Sequence, residues 1–427
     1  MTYKEAEEYL YTRLPMYQRI GAPALKPNLD NTYKLLEAIK NPHEALKTVH
    51  IAGTNGKGSS AHSIASVLQA AGYKTGLYTS PHLKNFTERI KIDGVEVVQN
   101  FVTDFVEKNQ VLIERVAPSF FELTVAMAFD YFRKEAVDIA IIEVGLGGRL
   151  DSTNVIRPEV SLITMIGWDH ANLLGNTLSK IASEKAGIIK SGIPVVIGAN
   201  QLELLQVFSE KAEEEKAPLY LTHEITLREL KNEIPSHYEV KINEQSLDIS
   251  FDILGSFYLK NVPGIIKTLL LLREKGWVIP DQAIKIGLEN VTKSTGLKGR
   301  WQVLNQLPLT IADVGHNQDG LQELFDQVSK KPHNHLHLIY GTVEDKDVEK
   351  ILSLFPKTNT SFYFTTASIA RAMPLMKLYQ TAKNYGLDGG TFANVNIALL
   401  AAKKVANKED IILVCGSTFV VAEIDDL

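Results

Sequence analysis

From Thr48 to about Ala217, short apolar runs alternate with longer stretches in which apolar residues recur at helical spacing. That is the pattern of parallel strands joined by crossover helices. The runs predict strands over Thr48–Ala52, Lys74–Tyr78, Val137–Val144, Val160–Ile166 and Pro194–Ile197, with helices after Gly58, over Ser119–Lys134 and over Leu178–Lys190. The expected fold class is α/β, with a doubly wound, mostly parallel sheet. Ligands of such sheets bind outside the carboxyl ends of the strands.

Between Tyr220 and Phe251 the period changes. Tyr238-Glu239-Val240-Lys241-Ile242 alternates, which predicts an antiparallel insertion appended to the first domain. A linker-like stretch, Thr295-Gly296-Leu297-Lys298-Gly299, is followed from Leu309 by a second strand–helix alternation that runs to the C-terminus. Residues 1–296 are expected to form one domain and residues 297–427 a smaller C-terminal α/β domain.

Composition narrows the partners. Of 427 residues, 45% are hydrophobic and 22% charged, enough material for two large cores. Lys and Arg number 45 against 50 for Asp and Glu, so no broad cationic face for nucleic acid is expected. The most apolar stretch, Leu269-Leu270-Leu271-Leu272, lies between Lys267 and Arg273 and falls far short of the roughly 20 residues a membrane span needs. The acidic start, Met1 to Glu8, does not have the form of a secretory signal. Cys415 is the single cysteine and lies at the end of the apolar run Ile411-Ile412-Leu413-Val414; it excludes an intramolecular disulfide and predicts a buried thiol. A cytoplasmic protein is expected, with neither nucleic acid nor membrane as partner.

The candidate chemistry begins at Gly53-Thr54-Asn55-Gly56-Lys57-Gly58-Ser59-Ser60, between an apolar strand and the helical run Ala61 to Ala71. Glycines let backbone N–H groups turn toward phosphate oxygens, the helix N-terminus adds partial positive charge, and Lys57 can reach terminal phosphates. A tight turn without a ligand is the plainer alternative. The residue after Lys57 is Gly58, with hydroxyls only at Ser59 and Ser60, which departs from the usual kinase or GTPase loop. Further candidates stand at predicted strand ends: Ser80 before Pro81, Glu143 before Val144-Gly145, and His170 after Trp168-Asp169. Each also has a structural explanation, as a turn cap, an ion pair or a hydrogen-bonded ring. Lys185 reads by itself as a solvated helix lysine.

The loop GTNGKGS resembles the nucleotide loop of the Mur ligase superfamily, and within it that of the dihydrofolate synthase and folylpolyglutamate synthase family. The run from Glu143 to Asn154, EVGLGGRLDSTN, and the segment Ser119-Phe120-Phe121-Glu122 carry the same likeness. It continues through Gly299-Arg300-Trp301-Gln302, Asp313-Val314-Gly315-His316-Asn317, Glu344-Asp345-Lys346-Asp347, Ala370-Arg371-Ala372 and Cys415-Gly416-Ser417.

The resemblance implies ATP contacts from Gly53, Thr54, Asn55, Gly56, Lys57, Gly58, Ser59, Asn261, Arg300 and Asp313. It implies Mg²⁺ held by Ser80, Glu143 and His170, and by Lys185 once carbamylated. The pterin side would be formed by Ser119, Phe120, Phe121, Glu122, Leu150, Asp151 and Ser152; core packing is the alternative for one of the two phenylalanines. Lys57, Lys185 and His316 are the implied catalytic residues. The implied reaction joins L-glutamate to dihydropteroate or to a reduced folate through an acyl phosphate, releasing ADP and phosphate. That places the protein in folate biosynthesis and one-carbon metabolism, as a monomer. If both domains contact ATP, domain closure completes the site and excludes water.

Some positions depart from the family pattern. Gly255-Ser256-Phe257-Tyr258-Leu259-Lys260-Asn261 keeps the asparagine but lacks the usual His and Gln, Gln318 stands where Pro is common, and Arg19-Ile20-Gly21-Ala22-Pro23 has no secure counterpart. Two other readings stay open: a Mur-type ligase of a cell-wall precursor, and a nucleotide-dependent binding protein without ligase chemistry.

Overall fold

The computed structural model describes residues 1–24, 26, 28–231, 236–242 and 245–427. It forms two compact units, one of Met1–Asp252 with Tyr258–Leu297, the other of Ile253–Phe257 with Lys298–Leu427.

The first unit is built on eight strands: β1 (Thr48–Ala52), β2 (Thr75–Tyr78), β3 (Ile90–Ile92), β4 (Val95–Glu96), β5 (Ile139–Glu143), β6 (Val160–Ile163), β7 (Val195–Ile197) and β8 (Leu219–Tyr220). Their order is β4-β3-β2-β5-β1-β6-β7-β8. All pairs are parallel except β2 with β3 and β3 with β4, a short antiparallel edge outside the predicted elements. β1 and β5 are buried along their whole length; their side chains are apolar except Thr48, His50 and Glu143. The helices Lys57–Ala70 and Phe120–Lys134 are themselves buried over most of their surface.

Two predicted elements end early, for local reasons. β6 stops at Ile163 because Met165 turns its carbonyl to the N–H groups of Thr54 and Asn55, at 2.8 and 3.3 Å. The helix predicted over Leu178–Lys190 stops at Ala186, and the Asn154 amide takes the Gly187 carbonyl at 3.0 Å.

The insertion is a three-stranded antiparallel sheet of β9 (Ile225–Lys231), β10 (Ser236–Ile242) and β11 (Gln245–Phe251), ordered β11-β10-β9. Positions 232–235 and 243–244 of the predicted stretch lie outside the described residues. Inward positions such as Val240 and Ile249 are buried, as the alternation requires.

The second unit carries β12 (Gln302–Gln306), β13 (Leu309–Ala312), β14 (Leu336–Tyr340), β15 (Thr360–Phe364), β16 (Gly389–Thr391) and β17 (Ile411–Cys415), ordered β12-β13-β17-β14-β15-β16. β12 pairs antiparallel with β13 and the remaining pairs are parallel. Cys415 ends a fully buried central strand and is a free, buried thiol. Among the described residues no helix is long and apolar enough to cross a membrane.

Candidate active site

The candidate nucleotide loop, residues 53–60, leaves β1 at its carboxyl end and runs into the helix Lys57–Ala70. Gly56 caps that helix with φ +92°, a left-handed conformation that glycine adopts without a Cβ penalty. A Cβ there would also lie 2.3 Å from Asn261 Oδ1, so Asn261 packs directly on the loop. Lys57 Nζ folds back over the loop and donates to the carbonyls of Gly53 and Thr54 at 3.1 and 3.2 Å. Thr164 Oγ1, on the chain leaving β6, approaches the Ala52 and Asn55 carbonyls at 3.2 and 2.9 Å. Two strands thus fix the loop before any ligand enters.

Lys185 belongs to this loop and is no solvated helix lysine. It is buried, and its Nζ donates to the same Gly53 carbonyl at 2.8 Å. Burial first, then the Lys57 cation, pulls its pKa down to about 7, against smaller opposing effects of Asp169 and Asp151. Near neutrality a substantial fraction of this amine is therefore uncharged.

Glu143 is buried at the end of β5, and its Oε2 accepts the Ser80 N–H at 3.0 Å. Ser80 and Glu143 are thus brought together. His170 has φ +52° and opens the helix Ala171–Leu174. Its Nδ1 lies 3.1 Å from the Tyr17 hydroxyl, and its backbone N–H donates to Asp169 at 2.9 Å. Among the described residues no three or more His, Cys, Asp or Glu side chains form a ready-made metal cluster. The oxygen donors of Ser80 and Glu143 nevertheless suit a hard divalent cation.

The second glycine-rich loop, Gly145 to Asn154, wraps the helix that carries Lys185. Arg149 N donates to Glu184 O at 2.8 Å, and its guanidinium pairs with the Glu184 carboxylate at 3.0 Å. Asn154 Nδ2 bridges the carbonyls of Arg149 and Gly187 at 3.1 and 3.0 Å. Nucleotide loop, Lys185 and second loop therefore form one packed assembly.

Sequence comparison agrees with this geometry. Residues 51–267 match the Mur ligase middle domain and residues 299–418 the Mur ligase glutamate ligase domain. The dihydrofolate synthase/folylpolyglutamate synthase of Bacillus subtilis is 31% identical over 434 residues, covering 99% of this chain and 98% of that protein. The chain belongs to the dihydrofolate synthase/folylpolyglutamate synthase family of Mur ligases. The folylpolyglutamate synthase of Lacticaseibacillus casei is 33% identical over 353 residues, 80% of this chain and 81% of that one. Among solved structures, E. coli FolC in complex with DHPP and ADP superposes with a TM-score of 0.86 at 26% identity, covering 99% and 96% of the two chains. The Yersinia pestis enzyme with Mn, AMPPNP and L-glutamate bound gives 0.83 at 26% identity, covering 99% and 97%.

In this Mur ligase, Ser119 and Glu122 form a capping box on the helix Phe120–Lys134. Ser119 Oγ accepts Glu122 N at 3.2 Å, and Glu122 Oε2 accepts Ser119 N at 2.6 Å. The S-x-x-E spacing ahead of an apolar run announces that box, a signal the sequence reading passed over. The two phenylalanines divide. Phe120 is buried core, packed edge-on to Phe86 and lying under the Arg89 guanidinium. Phe121 is half-buried and lies against the loop, where a Cβ on Gly145 would come within 2.4 Å of its Cζ.

Leu150 is exposed, while Asp151 and Ser152 are buried. Asp151 turns into its own loop. Oδ2 accepts the N–H groups of Gly145 and Leu146 at 3.0 and 2.9 Å, and Oδ1 accepts Thr153 N and Oγ1 at 2.9 and 2.5 Å. Burial still pushes its carboxyl above the usual range, against these donors.

In the second unit, Asp313 accepts Trp301 N and Gly315 N, each at 2.7 Å, which clamps the turn after β13 to the residue that follows Arg300. Burial pushes the Asp313 carboxyl up and Arg300 opposes it. Arg300 itself is exposed. His316 Nδ1 lies 3.0 Å from Val314 O, an acceptor, so the neutral ring carries its lone pair on Nε2. Gln318 occupies the first position of the helix Gln318–Ser329, where its N–H would have no helical partner in any case; this makes the departure from Pro a mild one.

Sequence reasoning missed a group beside Ser80. Arg89 is buried and donates from Nε to His82 Nδ1 at 2.8 Å, and Tyr11 OH lies 3.5 Å from His82 Nε2. Burial, then the Arg89 cation, holds His82 well below its ordinary pKa. The SPH and TER segments gave no chemical pattern by themselves, since only the hairpin edge brings them together. The departure at Tyr258 also has a structural role: its hydroxyl lies 2.9 Å from Ser63 Oγ on the nucleotide-loop helix.

Proposed function

We propose that this protein is an ATP-dependent ligase that joins L-glutamate to dihydropteroate, to tetrahydrofolate, or to both. The observation that carries the proposal is the Lys185–Gly53 contact, which binds the nucleotide loop and the acceptor-side loop into one assembly. A carboxylate oxygen of the acceptor attacks the γ-phosphorus of ATP, the bond to the bridging oxygen breaks, and ADP leaves. The glutamate amine then attacks the acyl carbon, loses a proton, and phosphate departs. Lys57 and the N–H groups around Gly56 hold the phosphates and orient them in line. His316 is assigned the role of proton acceptor for the attacking amine.

Ser80, Glu143 and His170 would hold Mg²⁺, which supplies charge neutralisation on the triphosphate. Lys185 in its neutral form is the form that adds CO₂, giving a carbamate and releasing one proton. The product is an anion beside Lys57, where the protonated amine would be repelled. Arg300, Asp313 and Asn261 are assigned to ATP, and Phe121, Leu150 and the Asp151 loop to the pterin. Ser119 and Glu122 shape that side by capping the helix from which Phe121 projects. The protein would work as a cytoplasmic monomer.

The decisive experiment measures glutamate-dependent ADP release by the purified protein, with dihydropteroate and with tetrahydrofolate as acceptors. Turnover with both is expected of a bifunctional enzyme, and turnover with one narrows the assignment. Release with neither, or release of AMP, would overturn the proposal.

A further inference from the structure

Strand β1 buries a histidine that the nucleotide chemistry does not use. His50 is fully buried three residues ahead of Gly53, at the centre of a parallel strand where an apolar β-branched residue is the ordinary occupant. Its Nε2 lies 2.9 Å from Thr153 Oγ1, which lies 2.5 Å from Asp151 Oδ1. Burial and the nearby Lys190 cation push the ring pKa down to about 3, so the imidazole is neutral.

The direction of this chain is fixed by what each atom can do. The ionised carboxylate only accepts, so the Thr153 hydroxyl donates to Asp151 and turns its lone pair to the ring; His50 must then carry its proton on Nε2. Nδ1 is left buried with no hydrogen-bond partner among the described residues, a standing cost to stability. An apolar residue at position 50 would remove that cost, but it would leave the Thr153 lone pair that faces the ring unsatisfied. Beyond Asp151 the same chain reaches the N–H groups of Gly145 and Leu146.

We propose that His50 is a positioning residue for the acceptor side: through Thr153 it fixes the Asp151 carboxylate, and with it the shape of the loop from Gly145 to Asn154. The inference rests on the reading of that loop as the pterin side. It gives the strand that feeds the nucleotide loop a second role, aimed at the other substrate.

The test is steady-state ADP release with glutamate and dihydropteroate in wild type, His50→Gln, His50→Met, Thr153→Val and the double variant His50→Met/Thr153→Val. Gln keeps an amide donor near the place of Nε2, while Met fills similar volume without one. His50→Met and Thr153→Val should each raise the dihydropteroate KM about tenfold and leave the ATP KM within about twofold, the size expected for one buried hydrogen bond. His50→Gln should stay near wild type, and the double variant should be no worse than either single, because both break one chain. Equal rises in both KM values, His50→Gln as impaired as His50→Met, or effects that multiply in the double would each overturn the inference. Should His50→Met fail to fold, Thr153→Val carries the same KM split from outside the nucleotide-loop strand. A wild type without glutamate-dependent ADP release removes the functional reading underneath; a working wild type whose kinetics the variants leave unchanged overturns this inference alone.

Discussion

Two glycine-rich loops leave the carboxyl ends of neighbouring parallel strands, β1 and β5, and are held by opposite charges. The first is governed by lysines: Lys57 and Lys185 both donate to the Gly53 carbonyl, and the helix Lys57–Ala70 turns its positive N-terminus to the same loop. The second is governed by an anion, since Asp151 consumes the N–H groups of Gly145, Leu146 and Thr153 from inside. Glycine content alone does not separate a phosphate cradle from a structural clasp. The charge that enters the loop does, because a lysine leaves anion-binding N–H groups for a ligand while an aspartate satisfies them within the protein.

The largest expected effect is at the cationic loop. Lys57→Ala should lower kcat by on the order of 10³-fold with an unchanged circular dichroism spectrum, since a preorganised charge on the transferring phosphoryl group is lost; near wild-type turnover would mean that the cradle reading is wrong. Glu143→Ala should lower turnover comparably, and raising Mg²⁺ should restore part of it. Full activity after exhaustive chelation would separate Glu143 from metal binding. At the anionic loop the effect should be on stability. Asp151→Asn places an amide NH₂ against backbone donors and should cost about 2–3 kcal/mol in urea unfolding; a loss of turnover with no loss of stability would instead make Asp151 a ligand group.

Gly56→Ala should cost about 1–2 kcal/mol for its left-handed φ alone and should also displace Asn261, which a raised ATP KM would report. The last expected effect is a slope with pH. The Lys185 pKa is lowered on folding, to about 7 from an ordinary 10.5, so between these values the unfolded chain binds the extra proton. Stability from this group therefore rises as pH rises from about 7 toward 10, and below 7 the buried charge exacts its full cost. Lys185→Met should flatten that slope in thermal unfolding, and an unchanged slope would place the amine in water. Carbamylation would appear separately, as bicarbonate-dependent activity.

Much of the frame was legible in the order of residues. Thr48–Ala52 and its following loop read correctly because an apolar strand, a Gly-Lys turn and a helix stand at fixed offsets. The edge hairpin of β3 and β4 did not, because Ile90–Ile92 and Val95–Glu96 are too short to show a period. The candidate site residues could be named from the sequence, but not how the fold holds each of them. Phe120 and Phe121 are identical in sequence terms and part only because helix Phe120–Lys134 turns one to the core and the other to Gly145.

Apolar periodicity and the spacing of glycines set which segments become strands and helices and where the Gly53–Ser60 loop stands between them, since those are local patterns. Whether a given polar side chain faces a ligand or holds the protein depended on partners far along the chain: Gly53 for Lys185, Thr153 for His50, Ser80 for Glu143. A buried charge or ring takes its character from what surrounds it, and for this chain only the packed fold supplies those surroundings.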